Sequence, residues 1–135
     1  VVSIRLASGS PNAVVVPNRI QIIPITSQNY EIALFKNPTL TGASWSAVPS
    51  DANVEQDTSA TAITGGTIIQ TDYLSSSGSG GTQPLVDPAG YNWAFQPGVS
   101  LAGVSDIITV AIRTIDSATP SGDCYGSLSF WDLTA

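Results

Sequence analysis

Turn signals recur about every ten residues along this chain, and the stretches between them are short runs of β-branched, aliphatic and aromatic residues. No segment keeps apolar residues at the 3.6-residue period of a helix over several turns. That rhythm restricts the chain to an all-β fold of about eight to ten short strands, and the expectation is one antiparallel, jelly-roll-like β-sandwich. At 135 residues the chain is long enough for one domain with one core.

Residues 1–6 alternate well enough for a first strand, and Ser8-Gly9-Ser10-Pro11-Asn12 reads as a turn. A run at 14–16 is interrupted by Pro17-Asn18 and resumes from Arg19 to Ile25, with a second proline at 24. Prolines in such a run predict an edge strand or a bulge, because they cannot donate to a ladder. In the next strand Tyr30, Ile32 and Leu34 share one face. Residues 37–42 read as a loop, 45–48 as a short strand and 52–57 as an extended polar segment. Gly65-Gly66, between runs at 60–63 and 67–74, predicts a two-residue hairpin turn. The Ser/Gly stretch at 75–82 has the composition of a linker, but the 53 residues after it are too few for a second core, so residues 74–84 are expected to be a mobile surface loop. Further β material lies at Leu85-Val86 and residues 91–95. The chain closes with two apolar runs, 107–115 and 125–133, joined by a polar loop at 116–123. This pattern predicts a C-terminal hairpin with Ile108, Val110 and Ile112 on one face and Leu128 and Phe130 on another.

Only 10% of the residues are charged, against about 25% in ordinary soluble domains. Uncharged polar residues carry the solubility, which suits a surface that packs against many neighbours, where each buried charge would need a partner. The net charge is −6, and the only cations are Arg5, Arg19, Lys36 and Arg113. Four scattered cations are a poor match for nucleic acid or an anionic membrane. No stretch approaches the ~20 apolar residues of a helical span, and no signal peptide is visible. The first residue is Val1, which is consistent with a removed initiator Met or with a fragment start.

The single cysteine, Cys124, rules out an intrachain disulfide and reads as a small, half-buried apolar residue. With no histidine anywhere, His-based triads, zincin sites and the commonest general base are excluded. Gly78 to Gly81 lack the lysine and the following helix of a phosphate loop. The densest acidic group, Asp51, Glu55 and Asp57, is a candidate for calcium, which takes clustered oxygen ligands, or for a carboxylate pair of the glycosidase kind; a solvated polar segment is the plainer reading. No cofactor is expected. Trp45, Tyr73, Trp93 and Trp131 are candidate interface anchors wherever they are exposed on the monomer. Residues 1–6, with Val1, Val2 and Ile4, are the candidate for exchange with a neighbouring sheet edge or attachment to a shell. Tyr91-Asn92-Trp93 is the best candidate for stacking on a carbohydrate.

Several blocks then occur in a telling order: Tyr30-Glu31-Ile32-Ala33-Leu34, Asn37-Pro38-Thr39-Leu40-Thr41-Gly42-Ala43-Ser44-Trp45, Val54-Glu55-Gln56-Asp57-Thr58-Ser59-Ala60-Thr61, Gly65-Gly66-Thr67-Ile68-Ile69, Ser105-Asp106-Ile107-Ile108-Thr109-Val110-Ala111-Ile112-Arg113, and Gly126-Ser127-Leu128-Ser129-Phe130-Trp131-Asp132-Leu133. Over residues 30 to 133 the chain resembles a group of structural proteins of tailed double-stranded DNA bacteriophages, whose blocks have the form NPTLTGASW, VEYDTSAT, then GG, and a closing LTVAAR and ASLxWxEL. It departs from that pattern at Gln56, where an aromatic is commoner, and at Ile112, where a small residue is commoner. Both residues fit a strand. The resemblance implies a non-enzymatic virion β-domain with no catalytic residues to carry over. A capsid cement or decoration protein is the expected role, and a head- or tail-fibre tip that binds a receptor or carbohydrate is the alternative. The implied partners are copies of itself, as a dimer or trimer, and other virion proteins such as the major capsid protein. The implied place is the particle surface, after assembly in the host cytoplasm.

Overall fold

The computed structural model describes residues 1–26, 28–75, 96–116 and 123–134. They form ten strands and no helix: β1 (Val2–Leu6), β2 (Val15–Pro24), β3 (Asn29–Lys36), β4 (Thr39–Thr41), β5 (Ser46–Val48), β6 (Asp51–Asp57), β7 (Ala62–Thr64), β8 (Thr67–Ser75), β9 (Ile107–Thr114) and β10 (Cys124–Asp132). Three antiparallel sheets result: six strands in the order β5-β6-β1-β9-β3-β8, the pair β10-β2, and the pair β4-β7. The fold is thus an all-β sandwich. The described strands divide six against two, not four against four, so they establish the sandwich without establishing jelly-roll wiring.

The core lies between the six-stranded sheet and the β10–β2 pair. Alternation sends Ile4 and Leu6 of β1, Tyr30, Ile32 and Leu34 of β3, Val54 of β6, and Ile108 and Val110 of β9 to one side, where they meet Val15, Ile20 and Ile22 of β2. Ile112, Leu128, Phe130 and Cys124 pack against this cluster. The facing expected for β3, β9 and β10 therefore holds. Tyr30 is the largest fully buried side chain, and its hydroxyl is satisfied by donating to the Thr26 carbonyl at 3.0 Å.

β2 shows how the sequence solves a phase problem. Val15 and Pro17 point inward at odd positions, whereas Ile20, Ile22 and Pro24 point inward at even ones. The register against β10 jumps between Ser129–Arg19 and Phe130–Pro17, which leaves Asn18 as the extra residue of a bulge. One inserted residue restores the inward phase that a continuous strand would lose. Both sequence expectations for these prolines are met, since β2 pairs with β10 alone among the described residues.

Three expectations are corrected. The C-terminal hairpin does not form. β9 inserts between β1 and β3 and both its edges are occupied, so the chain crosses to the other layer and β10 pairs with β2. Gly65 and Gly66 do turn with φ of +65° and +80°, as a type I′ turn requires. Yet β7 pairs with β4 and β8 with β3. The glycines form one side of a kink, with Asn37 at φ +55° on the other, where the β3–β8 ribbon bends and continues as a short β4–β7 arm. Residues 39–41, read as loop, are a strand of that arm. Val2–Leu6, the candidate for exchange with a neighbouring sheet edge, is paired within the chain along both edges, by β6 and β9. Within the expected loop at 74–84, Leu74 and Ser75 complete β8, and the remainder lies outside the described residues.

Candidate functional site

The three acidic candidates sit on one strand but serve three separate purposes. Asp51 accepts a hydrogen bond from the Asn53 amide at 2.9 Å. Glu55 pairs with Arg5 at 2.7 Å. Asp57 is fully buried, and its carboxylate accepts from the Ser44 amide (2.8 Å), the Ser59 amide (3.2 Å), the Ser59 hydroxyl (2.6 Å) and the Ala60 amide (3.1 Å). Burial alone would raise its pKa. The Ser59 hydroxyl and the three amides outweigh burial and hold it below the ordinary value of 3.8. Among the described residues no three of His, Cys, Asp and Glu converge as a metal site would need. The carboxylates are therefore tied into the fold one by one, and Asp57 is a structural staple.

Asp57 belongs to a polar layer. Ser3 stands opposite it on β1, and the Ser3 hydroxyl is 2.8 Å from the Thr109 hydroxyl on β9. All three side chains have no exposure and lie on the face of the sheet turned away from the apolar core. Further along that face, Glu31, Ala33, Phe35, Ala111 and Arg113 line a groove of about 380 Å³ beside Ile63 of the arm. Its ionisable side chains, Glu31 and Arg113, form an ion pair with each other. The groove offers shape and apolar area but no nucleophile with an adjacent base.

The interface candidates separate clearly. Ile4 is 3% exposed and belongs to the core; it is corrected from interface to packing residue. Val1 and Val2 are half-buried, Val2 opposite Val110. Trp45 is also half-buried, with the Arg5 guanidinium 4.2 Å from its ring centroid. Since Arg5 holds Glu55 at the same time, Trp45 closes an intrachain cation–π stack. Replacing Trp45 with alanine is expected to lower stability by about 1 kcal/mol in urea unfolding and to leave the solution mass unchanged. A changed mass at unchanged stability would make it an interface anchor after all.

Tyr73 and Trp131 are exposed at 62% and 56%. Tyr73 pairs across from Glu31 on the outer face of the six-stranded sheet, and Trp131 lies on the outer face of the β10–β2 pair. The two candidates thus occupy opposite sides of the sandwich. Trp93 and the carbohydrate candidates Tyr91, Asn92 and Trp93 lie outside the described residues. Tyr125, which the sequence offers among the aromatics for sugar stacking but not among the interface anchors, is the most exposed aromatic described at 71%. It shares its face with Trp131, and Ile23 at 39% stands directly opposite it on β2. The signal was present in the alternation: if Leu128 and Phe130 point inward, Tyr125 and Trp131 must point outward.

Against the known protein families, the curated proteins and the solved structures, the chain gives no match.

Proposed function

We propose that this chain is a non-enzymatic structural protein of a tailed-phage virion, a cement or decoration protein held on the head by many copies of a modest contact. The observation that carries this reading is the ordered set of short blocks from residue 30 to 133. The low charge supports it, because a surface poor in charge can be covered at little desolvation cost. So do the exposed aromatics Tyr73 and Trp131 on opposite sides of the sandwich, since a protein lodged in a shell needs contacts in more than one direction. Multivalency lets each contact be weak while the whole stays bound. In this reading the protein acts through copies of itself and the major capsid protein, on the particle surface, without nucleic acid or membrane as a partner.

The test is mass spectrometry of purified particles of the phage that carries the gene. The expected result is this chain in many copies per particle, released by the treatments that strip decoration proteins. Its presence in infected cells but absence from purified particles would overturn the proposal.

A further inference from the structure

β10 has one edge occupied by β2 and, among the described residues, no strand on the other. An exposed strand edge is a template for another strand, and proteins normally protect it with charge, proline or a bulge. β10 uses none of these along residues 124–131: it has no charged residue and no proline there, and the bulge of this ribbon lies in β2 at Asn18.

The sequence of this edge is also nearly a palindrome. Around Leu128 it reads Tyr125-Gly126-Ser127-Leu128-Ser129-Phe130-Trp131. We infer that β10 pairs antiparallel with β10 of a second copy about a two-fold axis at Leu128, joining two β10–β2 ribbons into a four-stranded sheet. An isologous contact requires a patch that complements itself, and this register provides it. Tyr125 of each copy falls opposite Trp131 of the other on the outer face, Ser127 falls opposite Ser129, and Leu128 meets Leu128. On the inner face, Phe130 falls opposite Gly126, whose missing side chain leaves room for a ring. Aromatic pairs directly across an antiparallel ladder are among the favourable ones.

Charge and area agree. Each chain carries a net −6, so two copies associate best through an uncharged stretch such as this one. The pairing puts the two Asp132 side chains at opposite ends of the ladder, about 27 Å apart at ~3.4 Å per residue and beyond the Debye length at physiological salt. Asp132 is already engaged by Asn53 Nδ2 at 2.6 Å and the Thr134 amide at 2.8 Å. The nearest like charges in this register are Asp123 and the second copy's Asp132, diagonal at each end. Tyr125 and Trp131 are more than half exposed, so the four rings offer roughly 400–600 Å² between them. With the two strand edges and Leu128, the contact approaches the ~1,000 Å² expected of a specific interface.

The pairing rests on the virion reading for its purpose but not for its physics, and its test is separate. The whole chain is followed by analytical ultracentrifugation from about 1 to 100 µM, a range over which a dimer of micromolar affinity dissociates on dilution. The expected species is a concentration-dependent dimer. Ser127 and Ser129 are exposed, so S127K/S129K and S127E/S129E should fold, as circular dichroism would verify. Each places like charges opposite one another twice, and each is expected to weaken the dimer at least tenfold; an equimolar mixture of the two is expected to restore it as a heterodimer. W131A, counted twice in the interface, is expected to weaken self-association about 100-fold. A monomer throughout, a trimer, a dimer that ignores these substitutions, or a mixture that stays monomeric would overturn the inference. Detection of the chain in particles would still decide the virion reading on its own.

Discussion

Gly66→Ala is expected to destabilise the fold by about 3 kcal/mol or more, which corresponds to roughly 10–15 °C in Tm for a domain of this size. A Cβ at Gly66 would lie 2.8 Å from both Cα and N of Pro38 and 3.0 Å from the Lys36 carbonyl oxygen. Those are backbone atoms, so no side chain can swing aside. The backbone there also has φ of +80°, a region that residues with a Cβ rarely occupy. Gly65 is the internal control, with φ of +65° but nothing within 4 Å of the point a Cβ would occupy. Gly65→Ala should therefore cost only the left-handed penalty of about 1 kcal/mol. Urea unfolding of the two variants separates steric collision from dihedral strain. Equal losses at both positions would mean that the ribbon does not kink against Pro38.

The second large effect is at Asp57. Asp57→Ala removes an acceptor from the amides of Ser44, Ser59 and Ala60 and from the Ser59 hydroxyl, at a site with no exposure. Each stranded buried donor costs about 1–3 kcal/mol, so a loss of about 3–5 kcal/mol is expected. Asp57→Asn preserves the shape but turns either its amide or a neutral oxygen toward donors that now meet a carboxylate, and about 2 kcal/mol is expected. The pH dependence has a definite sign. The folded-state pKa lies below the ordinary value of 3.8, so the unfolded chain binds the proton more readily. The stabilisation is fully present above the unfolded pKa and is lost as pH falls through the folded one. Asp106 and Asp132 are lowered as well: Asp106 by Asn37, Lys36 and the Gly98 amide against the opposing effect of burial, and Asp132 by Asn53 and Thr134. Acid unfolding should thus steepen below about pH 4, and Asp57→Asn should flatten part of that slope. A parent and variant with parallel acid curves would remove Asp57 as its source.

How much of this was readable from residues alone depends on the range of the interaction. Period-two alternation is local, and it located the inward faces of β3, β9 and β10 because each residue's side is set by its neighbours in the same strand. It also contained the alternation of Ile4 and Leu6 with Ser3 and Arg5, which marks Ile4 as inward. What alternation lacks is the identity of the strand next door. Two apolar runs with a polar loop between them look the same whether they pair or cross between layers, so β9 and β10 read as a hairpin. Gly65-Gly66 announced its dihedrals but not that the strands beside it belong to different sheets. At Asp57 the missed signal was short-range: Asp57-Thr58-Ser59-Ala60 has the form of a side chain that captures the next backbone amides, and that competes with its use as a metal ligand. The acid cluster was visible as composition, while its role lay in hydrogen bonds made largely to the segment that follows it.

The place of β1 has a consequence for how the protein comes into being. Val2 pairs with Val110 and Ser3 with Thr109, so a strand near the start of the chain waits between β6 and β9 for one made more than a hundred residues later. At about 5–20 residues per second, a ribosome needs on the order of 5–20 s to supply that partner. Until it does, the largest sheet lacks its middle, and the half with β5, β6 and β1 cannot join the half with β3 and β8. Folding is therefore governed by a late, long-distance closure rather than by sequential growth, which places this sandwich among the slow folders of high contact order.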